Sequence, residues 1–121
     1  MIAKMEIDAI HGEVTDEVKK YVQKKIGKLD KYMPRHARES AHAEVKLILA
    51  KAKEKRLLTC EVILFLPHDV ITTKETTMNM FASIDIVETK LKNQLKKYKE
   101  KHSSLNISRR VLSKVRNRRN K

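Results

Sequence analysis

Acidic residues are nearly missing from the last quarter of this chain: residues 90–121 hold one, Glu100, against thirteen lysines and arginines. Cysteine occurs once, as Cys60, which excludes an intrachain disulfide framework and suits a reducing compartment. With two glycines and no glycine-rich loop there is neither a P-loop nor a dinucleotide fingerprint. No apolar run approaches the roughly 20 residues of a membrane span. Residues 1–10 carry Lys4, Glu6 and Asp8 where a signal peptide needs an apolar stretch. Together these absences lead to the expectation of a soluble, cytoplasmic protein with no membrane contact.

What is present fits a single domain. The 121 residues suffice for a modest core. Apolar content of 40% beside 36% charged residues describes a globular fold with a solvated exterior. The formal net charge of +13 is carried almost wholly by residues 90–121. A balanced front and a strongly basic back suit a polyanionic partner, because every Lys or Arg set against a phosphate releases a condensed counterion. The polyanion expected from this pattern is nucleic acid.

Two hydrophobic periods alternate along the chain. Met5, Ile7 and Ala9 alternate with charges and read as a half-buried strand. Thr15 then suits an N-cap, with Asp16 and Glu17 in the first turn, where the helix dipole favours negative charge. Val18, Val22, Ile26, Leu29 and Met33 follow at steps of four and three, so one helix is expected until Pro34 stops it. Ala43, Val45, Leu47 and Leu49 share one face of a second strand, and Leu58, Cys60, Val62, Leu64 and Leu66 one face of a third. The lysine-rich residues 51–56 connect them as a hairpin. Pro67, His68 and Asp69 make another turn, and a short Thr-rich strand covers residues 70–77.

The last element is the most regular. After Asn79, a candidate N-cap, Ile84, Val87, Leu91, Leu95 and Tyr98 fall within about 40° of one line on a helical wheel. Lys90, Lys97 and Lys101 crowd one flank of that stripe, and Lys92, Lys96 and Lys99 the other. A solvated helix face ordinarily mixes signs, whereas these lysines mostly repel one another.

The resulting order is β-α-β-β-β-α, an α+β single domain with a four-stranded, largely antiparallel sheet and two helices on one face. It resembles a double-stranded-RNA-binding domain with an added N-terminal strand. At residue level the chain resembles the ribosome hibernation promoting factor family, also called the sigma-54 modulation or ribosome-associated inhibitor A family. The resemblance rests on Glu13-Val14-Thr15-Asp16, Tyr21-Val22, Lys25 and Lys28-Leu29-Asp30-Lys31-Tyr32. It continues through Asn79-Met80-Phe81-Ala82-Ser83-Ile84-Asp85, Lys90-Leu91, Gln94-Leu95 and Lys97-Tyr98-Lys99.

That resemblance implies a non-enzymatic protein that binds the small ribosomal subunit between head and body. There it overlaps the mRNA and tRNA paths and silences idle ribosomes in stationary phase or stress. Matched position by position, the implied rRNA contacts are Lys25, Lys28, Lys90, Gln94, Lys97, Lys99 and Lys101, with Lys92, Lys96, Arg109 and Arg110 auxiliary. Asn93 stands where the family often has Arg. The match reads as the short form of the family, monomeric when free, with a ribosome-binding domain over residues 1–102. Residues 103–121 form a basic tail that is expected to be disordered or marginally helical.

Catalysis finds little support in the residues. Cys60 lies on the apolar side of a strand without a base partner, and the five histidines are scattered without ligand spacing, so no cofactor, metal or small-molecule substrate is expected. Two alternatives stay open: a generic double-stranded-RNA binder, and an interaction module modulating transcription through sigma-54. The second would use the sheet face opposite the helices, where Ile48, Leu57, Ile63 and Phe65 are expected to gather into an apolar patch.

Overall fold

Side chains that alternate apolar and polar can bury only one face of a strand, and here the pairing of four such strands aligns every apolar set. The computed structural model describes the backbone of residues 1–2 and 4–119 and the side chains as far as Lys101. In chain order the elements are β1 (Lys4–Ile10), α1 (Asp16–Gly27), a 3-10 segment (Lys28–Tyr32), α2 (Arg35–Arg38), β2 (His42–Ala52), β3 (Lys55–Leu66), β4 (Asp69–Thr77) and α3 (Met80–Arg119). The sheet order is β1-β2-β3-β4. β1 runs parallel to β2, as a crossover through α1 requires, and the other two pairs are antiparallel. The α+β architecture expected from the sequence is the one observed.

The register explains the core. Ile7, Val45, Val62 and Thr73 form one row across all four strands, and Met5, Ala43, Leu64 and Ile71 the next. Val18, Val22 and Ile26 of α1 close over this face together with Ile84, Val87, Leu91, Leu95 and Tyr98 of α3, all of them buried. Both N-caps form. The backbone N–H of Val18 donates to Thr15 Oγ1 at 3.2 Å, and those of Phe81 and Ala82 to Asn79 Oδ1 at 2.9 and 3.4 Å. Ser83, fully buried at the start of α3, donates from its hydroxyl to the Leu58 carbonyl at 2.7 Å and so ties the helix to β3.

The first helix departs from the single run expected to Met33. α1 ends at Gly27, and the 3-10 segment carries the chain on to Tyr32. At this change of helix type the Gly27 carbonyl accepts from the Ile2 N–H at 2.8 Å. Leu29 and Met33 remain fully buried, so the stripe survives the change of helix type. The short helix α2 follows Pro34, where the sequence pattern indicates only a break. At the other end, the backbone of α3 is helical to Arg119, while the side chains of residues 102–121 lie outside the described residues. Tyr98 is the last described residue of the core.

Truncating Leu91 to Ala, at the middle of the α3 stripe, is expected to cost about 2–5 kcal/mol in urea denaturation. Asn93→Ala, on the exposed ridge of the same helix, should stay within about 0.5 kcal/mol of the parent.

Candidate nucleic-acid interface

Burying the α3 stripe fixes the helix azimuth, and that sends its two lysine flanks to different neighbours. Lys90, Gln94, Lys97 and Lys101 turn toward the edge strand β4. Lys90 Nζ lies 2.5 Å from Glu75 Oε1 and 3.5 Å from the Lys74 carbonyl oxygen. Glu75 is in reach because it shares its cross-strand row with Leu47 and Cys60, on the helix side of the sheet. Gln94, Lys97, Tyr98 and Lys101 line an open groove of about 370 Å³ with Asp69, Val70, Ile71 and Thr72. Within it the Tyr98 hydroxyl donates to the Pro67 carbonyl at 2.8 Å. Burial, and then the nearby Asp69, push the Tyr98 pKa upward. Gln94 Oε1 is buried without a hydrogen-bond partner among the described residues.

The opposite flank of α3 meets α1 across a seam that holds two acids. Lys25 Nζ lies 3.7 Å from Asp85 and 3.9 Å from Glu88, and Lys28 Nζ lies 3.6 Å from Glu88. The Glu88 side chain is only 16% exposed. Tyr21 donates its hydroxyl to Asp85 at 2.5 Å, packs edge-on against Phe81, and has Lys25 Nζ 5.5 Å above its ring. The hydrogen bond to Asp85, aided by partial burial and the charges of Asp85 and Glu88, pushes the Tyr21 pKa up to about 12. Farther along, Lys92 and Lys31 stand 5.5 and 5.2 Å from the Tyr32 ring centroid, a pair of cation–π contacts.

The residues matched from the family therefore do not form one patch. Lys25 and Lys28 share the α1–α3 seam with Lys92, whereas Lys90, Gln94, Lys97 and Lys101 face β4. Lys25, Lys28 and Lys90 are ion-paired. Among the described residues no carboxylate lies within 4 Å of Lys97, Lys99 or Lys101, and all three are exposed. Partly exposed ion pairs are worth about 0–1 kcal/mol, so a phosphate can displace the carboxylates, yet it must compete with them. Lys97 and Lys101 present their charge without that competition. Lys96 is exposed as well, and the side chains of Arg109 and Arg110 lie outside the described residues.

Reasoning from sequence missed Lys31 as part of the basic surface, although its adjacency to Tyr32 was a signal. It also missed Glu75, Asp85 and Glu88, whose roles depend on which helix faces which strand.

Packing also decides the two features outside this basic surface. Cys60 is fully buried, and burial pushes its thiol pKa up to about 12, far from a reactive thiolate. On the outer sheet face, the apolar patch expected from Ile48, Leu57, Ile63 and Phe65 is divided. The row Asp8, Lys46, Glu61 and Lys74, with alternating charge across the four strands, runs between Ile48 and Leu57 on one side and Ile63 and Phe65 on the other. Phe65 is stacked on His42, with centroids 4.4 Å apart.

Residues 5–103 match the family model described as sigma 54 modulation protein / S30EA ribosomal protein. The chain is 36% identical over 96 residues to the ribosome hibernation promotion factor of Lactococcus lactis subsp. cremoris, covering 79% of this chain and 49% of that protein. Against the ribosome hibernation promotion factor of Staphylococcus aureus it is 32% identical over 93 residues, covering 74% and 46%. The chain thus spans about half the length of these curated relatives. Its fold is similar to the N-terminal domain of Thermus thermophilus Protein Y, with a TM-score of 0.63, 28% identity, and coverage of 77% of this chain and 94% of that one. A ribosomal subunit interface protein from Coxiella burnetii shares the fold at a TM-score of 0.65 and 18% identity, with 79% and 97% covered.

The Tyr21–Asp85 bond leads to a pH prediction. Because the folded-state pKa is raised above the ordinary value of 10, the bond's contribution to stability is complete below pH 10 and is lost as pH rises toward 12. Tyr21→Phe should cost about 1 kcal/mol at neutral pH and remove one tyrosine's share of the 295 nm phenolate absorbance from the high-pH end of the titration, leaving the rest of the curve in place. Loss of that amplitude near pH 10 rather than toward pH 12 would disprove the assignment.

Proposed function

The chain belongs to the sigma 54 modulation protein / S30EA ribosomal protein family, and from that premise we propose that it is a ribosome hibernation factor of the cytoplasm. It holds the small ribosomal subunit through rRNA phosphates, blocks the mRNA and tRNA channel and thereby inhibits translation in stationary phase or stress. The observation that carries this reading is the β4-facing flank of α3, where Lys97 and Lys101 stand exposed with no carboxylate in reach among the described residues. Such lysines suit phosphates, which fix register and orientation on an RNA surface without reading sequence. Lys90 extends the flank, and the seam lysines Lys25 and Lys28 with Lys92 and Lys31 supply a second line of charge on the far side of the helix.

Inhibition by this route is occupancy. A folded domain seated in the channel excludes mRNA and tRNA sterically, with no bond made or broken in either and no cofactor required. The folded domain, residues 1–102, selects the place. The seven basic residues between 103 and 121 raise affinity and association rate through long-range attraction.

Substituting Lys97→Glu and Lys101→Glu together should weaken small-subunit binding at least about 30-fold at 0.1 M monovalent salt. The slope of log affinity against log salt should shallow by about 0.7–0.9 for each phosphate no longer neutralised. Lys90→Ala should cost less than either, since its ion pair with Glu75 already competes with phosphate. Equal binding by wild type and the double variant in a filter assay would overturn the assignment of this flank.

Truncation after His102 should lower affinity, most clearly at low salt, while leaving the chemical-probing footprint on rRNA in place. A footprint that moved at saturating truncated protein would show instead that the tail selects the site.

A further inference from the structure

At the end of the sheet remote from Lys97 and Lys101, the β2–β3 hairpin carries a second concentration of positive charge. Its turn residue Lys53 is in the left-handed region at φ 60°, and the strands run on to Ala52 and Lys55, so the hairpin arm is ordered pairing to its tip. Lys51 and Arg56 are direct cross-strand partners, and both are exposed. Like charges placed opposite each other across a ladder repel. Among the described residues no carboxylate lies within 4 Å of either.

Beneath them lies a recess of about 340 Å³, lined by His11, Leu49, Ala50, Lys51, Arg56 and Leu58. Leu49 and Leu58 form its apolar floor. His11, held at φ 66° in the loop after β1, forms one wall. The backbone of this loop packs closely on the floor: a Cβ added at Gly12 would stand 3.4 Å from Leu49 Cδ2. The volume falls at the lower end of the ~300–1,000 Å³ range of small-molecule sites.

A repelling cationic pair over an apolar floor, with a ring on one side, has the chemistry of a nucleotide site. Arg and Lys take a phosphate, while the base stacks on the ring and the aliphatic surface. We propose that the hairpin end is a second RNA contact, in which Lys51 and Arg56 bind a backbone phosphate of single-stranded RNA and His11, Leu49 and Leu58 receive its base. The proposal rests on the protein being an RNA binder and adds a contact point roughly 30 Å along β3 from the Lys97–Lys101 groove, counting about 3.3 Å per residue. Two separated contacts, one on α3 and one on the β2–β3 hairpin, would set the orientation of the domain on its RNA.

The test uses the full-length chain and the Lys51→Ala/Arg56→Ala variant. Both residues are exposed, and the change relieves a repulsion, so the variant should melt no lower than wild type. On isolated small subunits its affinity should fall at least about fivefold at 0.1 M salt, with the salt slope shallower by about 0.7. In an amide NMR titration with hexauridylate, resonances of His11, Ala50, Lys51 and Arg56 should shift in wild type and stay still in the variant, while those around Lys97 and Lys101 respond in both.

Unchanged small-subunit affinity in the variant would overturn the proposal. So would hexauridylate shifts confined to α3, and in either case the α3 reading is untouched. Equal shifts at the hairpin with inorganic phosphate alone at the same concentration would show a general anion site and also reject the nucleotide. Loss of small-subunit binding by Lys97→Glu/Lys101→Glu is read separately, so failure of the RNA-binding reading itself is distinguishable.

Discussion

The burial of one stripe on α3 is the constraint on which the surface depends. Ile84, Val87, Leu91, Leu95 and Tyr98 are all at most 3% exposed against the sheet, and at 100° per residue a helix so anchored has no rotational freedom left. Turning it by a single residue would carry lysines into the core, where an unpaired ammonium is strongly disfavoured. The apolar contact therefore aims the charges. Lys90, Lys97 and Lys101 must project beside β4, and Lys92 must project toward the 3-10 segment, because the stripe between them is occupied. Ser83 and Tyr98 secure the two ends through hydrogen bonds to the carbonyls of Leu58 and Pro67.

The two flanks thus aimed differ in electrostatic character. The α1–α3 seam mixes signs, with Glu88 placed between Lys25 and Lys28 and Asp85 between Lys25 and Tyr21. These pairs orient side chains more than they stabilise the fold, since partly exposed pairs are worth little. On the β4 side Lys90 is paired with Glu75, while Lys97 and Lys101 share their groove with Asp69 but have no carboxylate within 4 Å among the described residues. Along the sequence of α3 the basic residues continue beyond Lys101 with no further acid.

The sheet separates its duties by face. Its helix side is apolar at the centre apart from the buried Thr73 and becomes charged toward the margins, at Asp69 and Glu75 on β4 and at the Lys51–Arg56 pair. Its outer side is crossed by Asp8, Lys46, Glu61 and Lys74, whose alternating signs favour the observed register through opposite charges set directly across from one another. That row also separates Ile48 and Leu57 from Ile63 and Phe65.

Much of this was legible in the amino-acid order, because local periods and caps need only neighbours in sequence. The alternation in β1 to β4, the α3 stripe, the Thr15 and Asn79 caps and the family resemblance all follow from residues a few positions apart. The sequence alone also determined that a basic surface exists, because residues 90–121 contain too few acids to neutralise it. Tertiary structure decided how that charge is divided. Glu88, Asp85 and Glu75 reach Lys25, Lys28 and Lys90 only because α1, α3 and β4 are packed side by side, which joins residues far apart along the chain. The change to a 3-10 turn after Gly27 was likewise hidden, since it coincides with a hydrogen bond from Ile2, a residue far back along the chain. Local pattern determines which face of an element is apolar; only packing decides which charges then meet.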